Sequence, residues 1–185
     1  MHAWCRKIDC SVRLVAYFIV DNNQPTTKEL DTAISMKTRG EKEEDMGEAL
    51  IRQRVEDWTK AVRAKDIDRL MSLYAPSIAS FDINPPLRYA GTDNKRRAWQ
   101  EFFAAYSGPI VYEVSDLNVM TDSELAFVHS LNHVKGTLAS GHSTDMWVRW
   151  TACFRLLDGA WLVVHDHVSV PADLEHGQAC LNLKP

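Results

Sequence analysis

Asp158-Gly159 stands between two apolar-rich runs, 146–157 and 161–170. Asp-Gly in that position is the preferred chemistry of a tight two-residue hairpin. Two further runs precede this pair, 110–120 and 125–138, all four rich in Val, Trp, Phe and Thr. Thr121-Asp122-Ser123 and Ser140-Gly141-His142 separate them, so the second half of the chain reads as a four-stranded meander. Such a sheet must bury one face against another layer. The upstream sequence supplies it. Ile51, Val55, Trp58 and Val62 recur at helical spacing over 48–64, and Ile67, Leu70, Met71 and Tyr74 share a face of a second helix capped by Asp66 and stopped by Pro76. A short strand over 78–83 ends before Pro85-Pro86. Thr92 to Asn94 offer N-caps for a third helix whose stripe is Trp99, Phe102, Phe103 and Tyr106, ended by Gly108-Pro109. The expected class is α+β, a curved antiparallel sheet with three N-terminal helices packed on its concave face.

Charge and composition remove several function classes. The net charge of −4 comes with no basic cluster able to follow a phosphate backbone, so nucleic acid is not an expected partner. The apolar run 14–20 is too short to span a bilayer, and no membrane partner is expected. Arg6, Lys7 and Arg13 precede that run as in a signal peptide, yet no small-residue cleavage site follows. Cys5, Cys10, Cys153 and Cys180 form neither a CxxC pair nor a disulfide framework, which suits a reducing cytoplasm. Residues 1–45 end in a charged run, 38–45, without apolar periodicity, and read as a poorly ordered extension or linker. The folded domain is expected over 46–172, followed by a tail over 173–185.

Residues 49–171 resemble the SnoaL-like and ketosteroid-isomerase-like branch of the nuclear transport factor 2-like superfamily. The resemblance is carried by Val55-Glu56-Asp57-Trp58, Ala64-Lys65-Asp66-Ile67-Asp68, Phe81-Asp82, Gly91, Arg149-Trp150-Thr151, Asp158-Gly159-Ala160-Trp161 and His165-Asp166-His167-Val168-Ser169-Val170-Pro171. It implies a cone-shaped fold with an interior pocket that hosts isomerases, cyclases, hydratases and plain binding modules, so the fold alone does not choose a chemistry.

Asp82 matches the general-base aspartate of the steroid isomerases, and a carboxylate in an apolar pocket makes a usable base. Its alternative role is that of a turn residue ahead of Asn84. The position resembling the isomerases' oxyanion-donating tyrosine holds Trp58, and the one resembling their second acidic donor falls near Ala152. An indole is a different donor and alanine is none, which disfavours true steroid isomerisation. On the last strand Trp161, Val163, His165, His167 and Ser169 share one side by simple alternation, and the resemblance makes that side the pocket wall. The two imidazoles there would shuttle protons or bind an anion; otherwise they are structural. His-x-His lacks a third ligand at metal spacing, so neither metal nor cofactor is expected. Arg149 requires a carboxylate partner, such as Asp82 or Asp166, or an anionic ligand. Trp58, Tyr74, Trp99, Phe103, Asn132 and Thr151 are the candidate ligand contacts.

Two functions follow as expectations. The first is proton transfer on a small hydrophobic or aromatic carbonyl compound, of isomerase, cyclase or dehydratase type, using Asp82 with His165, His167 or Arg149. The second is a non-catalytic ligand-binding or homodimerisation module, with a face carrying Val148, Trp150 and Phe154 serving the dimer if it is not needed inside.

Overall fold

In the computed structural model the described residues are 26–185, so the signal-like segment, Cys5 and Cys10 lie outside them. The chain divides into two units, Met1–Asp45 and Met46–Pro185. Helix α1 runs Thr27–Ala64. The charged run read as linker is therefore helical. Lys, Glu and Met are strong helix formers, and a helix that is polar all round shows no stripe to a periodicity search. At its start Thr26 and Glu29 cap reciprocally: Glu29 N donates to Thr26 Oγ1 at 3.3 Å and Thr26 N donates to Glu29 Oε2 at 2.8 Å.

The second unit is built on a six-stranded sheet with helices against its concave face. After α1 come α2 (Ile67–Met71), β1 (Tyr74–Phe81), β2 (Tyr89–Ala90) and α3 (Thr92–Ala105). Then follow β3 (Val111–Thr121), β4 (Leu125–Thr137), β5 (Ser143–Leu157) and β6 (Ala160–Ser169), with β7 (Ala172–Asp173) and β8 (Gln178–Ala179) pairing in the tail. The main sheet has the order β2-β1-β6-β5-β4-β3. All its pairs are antiparallel except β1 with β6, which is parallel. No helix among the described residues is long and apolar enough to cross a membrane.

Local sequence explains most of these elements. Asp158 and Gly159 both take positive φ, 49° and 80°, as the primed hairpin turn requires. Asp66 caps α2, accepting from Arg69 N at 3.0 Å. That helix ends at Met71, earlier than expected, so Tyr74 belongs to a strand that tolerates Pro76. Proline cannot donate to the ladder, and the β1–β6 register is broken between Tyr74 and Ala79, where it sits. Helix α3 is capped by Gly91 at φ 77°, with no side-chain cap from Thr92 to Asn94. Its C-terminal carbonyls are held from outside: Lys65 Nζ donates to Phe103 O at 3.1 Å and to Tyr106 O at 2.7 Å. A cation at a helix C-terminus is favourable, and here it ties α3 to the end of α1.

The core lies between helices and sheet. Ile51, Val55, Trp58 and Val62 of α1 meet Val128, Val148, Trp150, Ala152 and Phe154 of the strands, all buried. Trp58 stacks on Trp150 with centroids 5.2 Å apart and meets Trp99 and Tyr112 edge to face. Val148, Trp150 and Phe154, expected on an outer face, are thus buried beneath the helices, because one face of β5 is needed inside.

Candidate functional site

A cavity of about 440 Å³ opens between α3, Trp58 near the C-terminal end of α1, and the inner face of the sheet. That volume is typical of small-molecule sites. Trp58, Trp99, Phe102, Tyr112, Met146 and Val168 make its walls largely apolar and aromatic. Its charged groups are Asp82, Lys95, Glu101 and Asp166. Leu181 of the tail also lines it.

Lys95 organises the polar end. It lies on the first turn of α3, four residues before Trp99, so helical geometry places both on the inward face. The residue is only 1% exposed, as is Asp166 on β6. Lys95 Nζ is 3.1 Å from Asp166 Oδ2, donates to Ser80 Oγ at 2.7 Å and stands 3.9 Å from Asp82 Oδ2. The ammonium also lies over the rings of Tyr74 and Trp99, 5.7 Å and 5.5 Å from their centroids, a cation–π arrangement. Asp82 follows β1 and is the accessible member, with 24% of its side chain exposed. Its Oδ1 accepts from Ile83 N at 2.8 Å, which fixes the carboxylate at the cavity wall.

Behind this group is a second layer of hydrogen bonds. Trp58 Nε1 and Trp99 Nε1 donate to Tyr74 Oη at 2.9 Å and 3.2 Å, and that hydroxyl donates to Asp166 Oδ2 at 3.3 Å. Asn132 Nδ2 donates to Tyr112 Oη at 2.9 Å and Ser130 Oγ to Asn132 Oδ1 at 2.7 Å. Burial holds both phenols protonated: Tyr74 and Tyr112 are pushed well above the usual tyrosine range by desolvation, with Asp166 adding to the effect. Asp166 Oδ1 and Trp150 Nε1 are buried without a protein partner.

The structure brings together only part of the expected set. Asp82, Trp58 and Trp99 line the cavity. Tyr74 and Asn132 stand behind the wall, bonded to other side chains. Phe103 is buried against Trp99 and Phe102, and the cavity is lined by Phe102 instead. His165 and His167 are turned away from it. Cys153 pairs with His165 but Phe154 pairs with Val163, so Val164 is an extra residue, a bulge that inverts the alternation of β6. Trp161 and Val163 face inward before the bulge, Asp166 and Val168 after it. His165 Nδ1 donates to Ala79 O at 2.8 Å, and Phe81 packs edge-on against both imidazoles on the outer side. Arg149 is exposed on the outer face of β5 with Thr151, opposite in parity to buried Val148 and Trp150, and meets neither Asp82 nor Asp166. Lys95 was not among the residues expected at the site, and Asp166 was expected only as a candidate partner of Arg149. Among the described residues no group of three or more His, Cys, Asp or Glu is placed to hold a metal ion.

A model of the SnoaL-like domain matches residues 51–173. An NTF2-like protein of unknown function from Pseudomonas putida KT2440 is 33% identical, with 76% of this chain and 98% of that one covered and a TM-score of 0.71. A ketosteroid isomerase-like protein from Erwinia carotovora atroseptica SCRI1043 is 21% identical over 66% of this chain and 94% of its own, TM-score 0.58. A candidate dehydratase of the NTF2-like family from Streptomyces avermitilis is 17% identical over 68% and 96%, TM-score 0.60. The last two share the fold alone. Among curated proteins, none matches the chain.

Proposed function

This chain belongs to the SnoaL-like family of the NTF2-like superfamily, and we propose that its cavity binds a small hydrophobic carbonyl compound and moves a proton on it. The observation that carries the reading is Asp82 Oδ2 standing 3.9 Å from the buried Lys95 ammonium in a hollow whose walls are largely apolar and aromatic. Such a pair offers the two parts that carbon-acid chemistry needs. The Asp82 carboxylate takes the proton from the carbon next to the carbonyl, and the electron pair moves onto the carbonyl oxygen. The ammonium stabilises the enolate that forms. Return of the proton to another carbon gives isomerisation; loss of a β-hydroxyl as water gives dehydration. Lys95 thereby takes the place held in the sequence-based expectation by Arg149 and the two histidines.

The test does not require the natural substrate. Exchange of α-hydrogens for deuterium in 1-indanone and 2-tetralone, followed by proton NMR in heavy water, reports proton abstraction directly. Wild-type protein should accelerate it, and Asp82→Asn should lose about a hundredfold or more while still binding the ketone. Equal exchange in the two proteins would remove Asp82 from the role.

A second reading, a non-catalytic binding module, is favoured by one arrangement: both indole N–H groups donate to Tyr74 rather than into the cavity. Ketone binding without any exchange above the buffer rate would select it.

A further inference from the structure

The segment after β6 is held in a defined shape. Beyond Pro171 the chain reverses through β7 and β8, with Ala172 opposite Ala179 and Asp173 opposite Gln178. Asp173 fixes the turn: its Oδ1 accepts from Glu175 N at 2.9 Å and from His176 N at 3.2 Å, and its Oδ2 meets His176 Nδ1 at 2.8 Å. Cys180 N then donates to Pro171 O at 2.8 Å, which sets residue 180 beside the end of β6. The next residue is Leu181, and it lines the same cavity as Val168 of β6. The hairpin has little apolar support of its own, since Leu174 at its turn is 91% exposed, and two paired strands this short are marginal in water. Of Leu174, Leu181 and Leu183, only Leu181 lines the cavity, and at 46% exposed it still offers apolar surface for a ligand to cover.

We propose that residues 172–181 are a strap on the cavity and that Leu181 is a specificity-determining residue, covering an apolar part of the bound ligand. An apolar ligand buries what remains open of the leucine, and the docked leucine in turn screens the ligand from water. Each therefore strengthens the other, as linkage requires. A hairpin held by a handful of hydrogen bonds opens at small cost, so the strap lets the ligand in and closes over it. The inference goes beyond the carbonyl reading above, because it concerns apolar contact alone and holds whether the hollow catalyses or only binds.

Leu181→Ser removes the apolar contact and leaves the hydrogen bonds of the hairpin in place. Two compounds are titrated into the full chain: N-phenyl-1-naphthylamine, a neutral dye that brightens in apolar surroundings, and 1-indanone. Each should bind the variant at least about fivefold more weakly than wild type, as loss of contact with about half a leucine side chain predicts. Alkylation of Cys180 by iodoacetamide, read by mass spectrometry of the peptide that carries it, follows the strap itself. Saturating dye should slow that reaction at least about threefold in the wild type and leave it unchanged in Leu181→Ser. Equal dye affinity in the two proteins, or alkylation indifferent to the dye in the wild type, would overturn the strap. If the dye behaves as expected while 1-indanone binds neither protein, Leu181 keeps its role and the carbonyl reading falls. Binding of neither compound to the wild type would overturn both.

Discussion

Replacing Lys95 by Met is the sharpest test of how the polar end of the cavity is built. Methionine keeps most of the unbranched stem, so the change removes charge more than volume. It leaves Asp166, 1% exposed, as an uncompensated carboxylate, and deprives Ser80 Oγ of its donor. At 3.1 Å and an effective dielectric constant near 20, the Lys95–Asp166 attraction is about 5 kcal/mol. Much of that offsets desolvation of the two ions, so the measurable loss on breaking the pair from one side is about 3–5 kcal/mol. Asp166→Leu should cost a similar amount by stranding the ammonium. The double variant Lys95→Met/Asp166→Leu, having no charge left to strand, should recover most of this and come within about 1 kcal/mol of wild type. Urea unfolding at neutral pH measures all four proteins. Single-variant losses below 1 kcal/mol, or a double variant as unstable as the sum of the singles, would refute the reasoning. With the expected outcome, a stable double variant that no longer handles ligand would place the pair's value in the site rather than in folding.

Two further predictions test the packing and the phenols. A Cβ at Gly136 would stand 2.7 Å from Tyr106 Cδ1 and 3.3 Å from Pro109 O, so Gly136→Ala should destabilise the protein by about 1–3 kcal/mol in the same unfolding assay, and a neutral result would show that the Tyr106 ring moves aside freely. The raised phenols of Tyr74 and Tyr112 imply a sign for alkaline pH: their contribution is fully present below the unfolded value near 10 and is lost as pH rises towards the folded values. Thermal stability should therefore fall above about pH 10, with these two tyrosines absorbing as phenolate only on unfolding, and early ionisation of every tyrosine in the native protein would contradict this.

Sequence reading succeeded where one physical rule acts alone. Asp-Gly fixed a hairpin, helical spacing located the buried face of α1 around Trp58, and the apolar run before Asn84 placed Phe81-Asp82 at the end of a strand. It failed where two rules compete. Nothing in Val163-Val164-His165 marks an inserted residue, and without that insertion strict alternation aims the histidines inward. Trp147, Val148, Arg149 and Trp150 leave both faces of β5 apolar apart from the arginine, so only the assembled sheet shows which face is covered. Lys95 was visible in principle, four residues ahead of Trp99 on the same stripe. A lysine in the first turn of a helix, however, is ordinarily a solvated surface group, and no local signal announces that an aspartate as distant in the chain as Asp166 will meet it.

The extra residue in β6 makes the chemistry of the hollow a matter of chain length. Downstream of Val164, one set of side chains (Asp166, Val168) faces the cavity and the complementary set (His165, His167) the outside. Loss of that single residue would exchange the two sets at once, bringing two imidazoles to a cavity that keeps Asp82, Lys95 and Glu101.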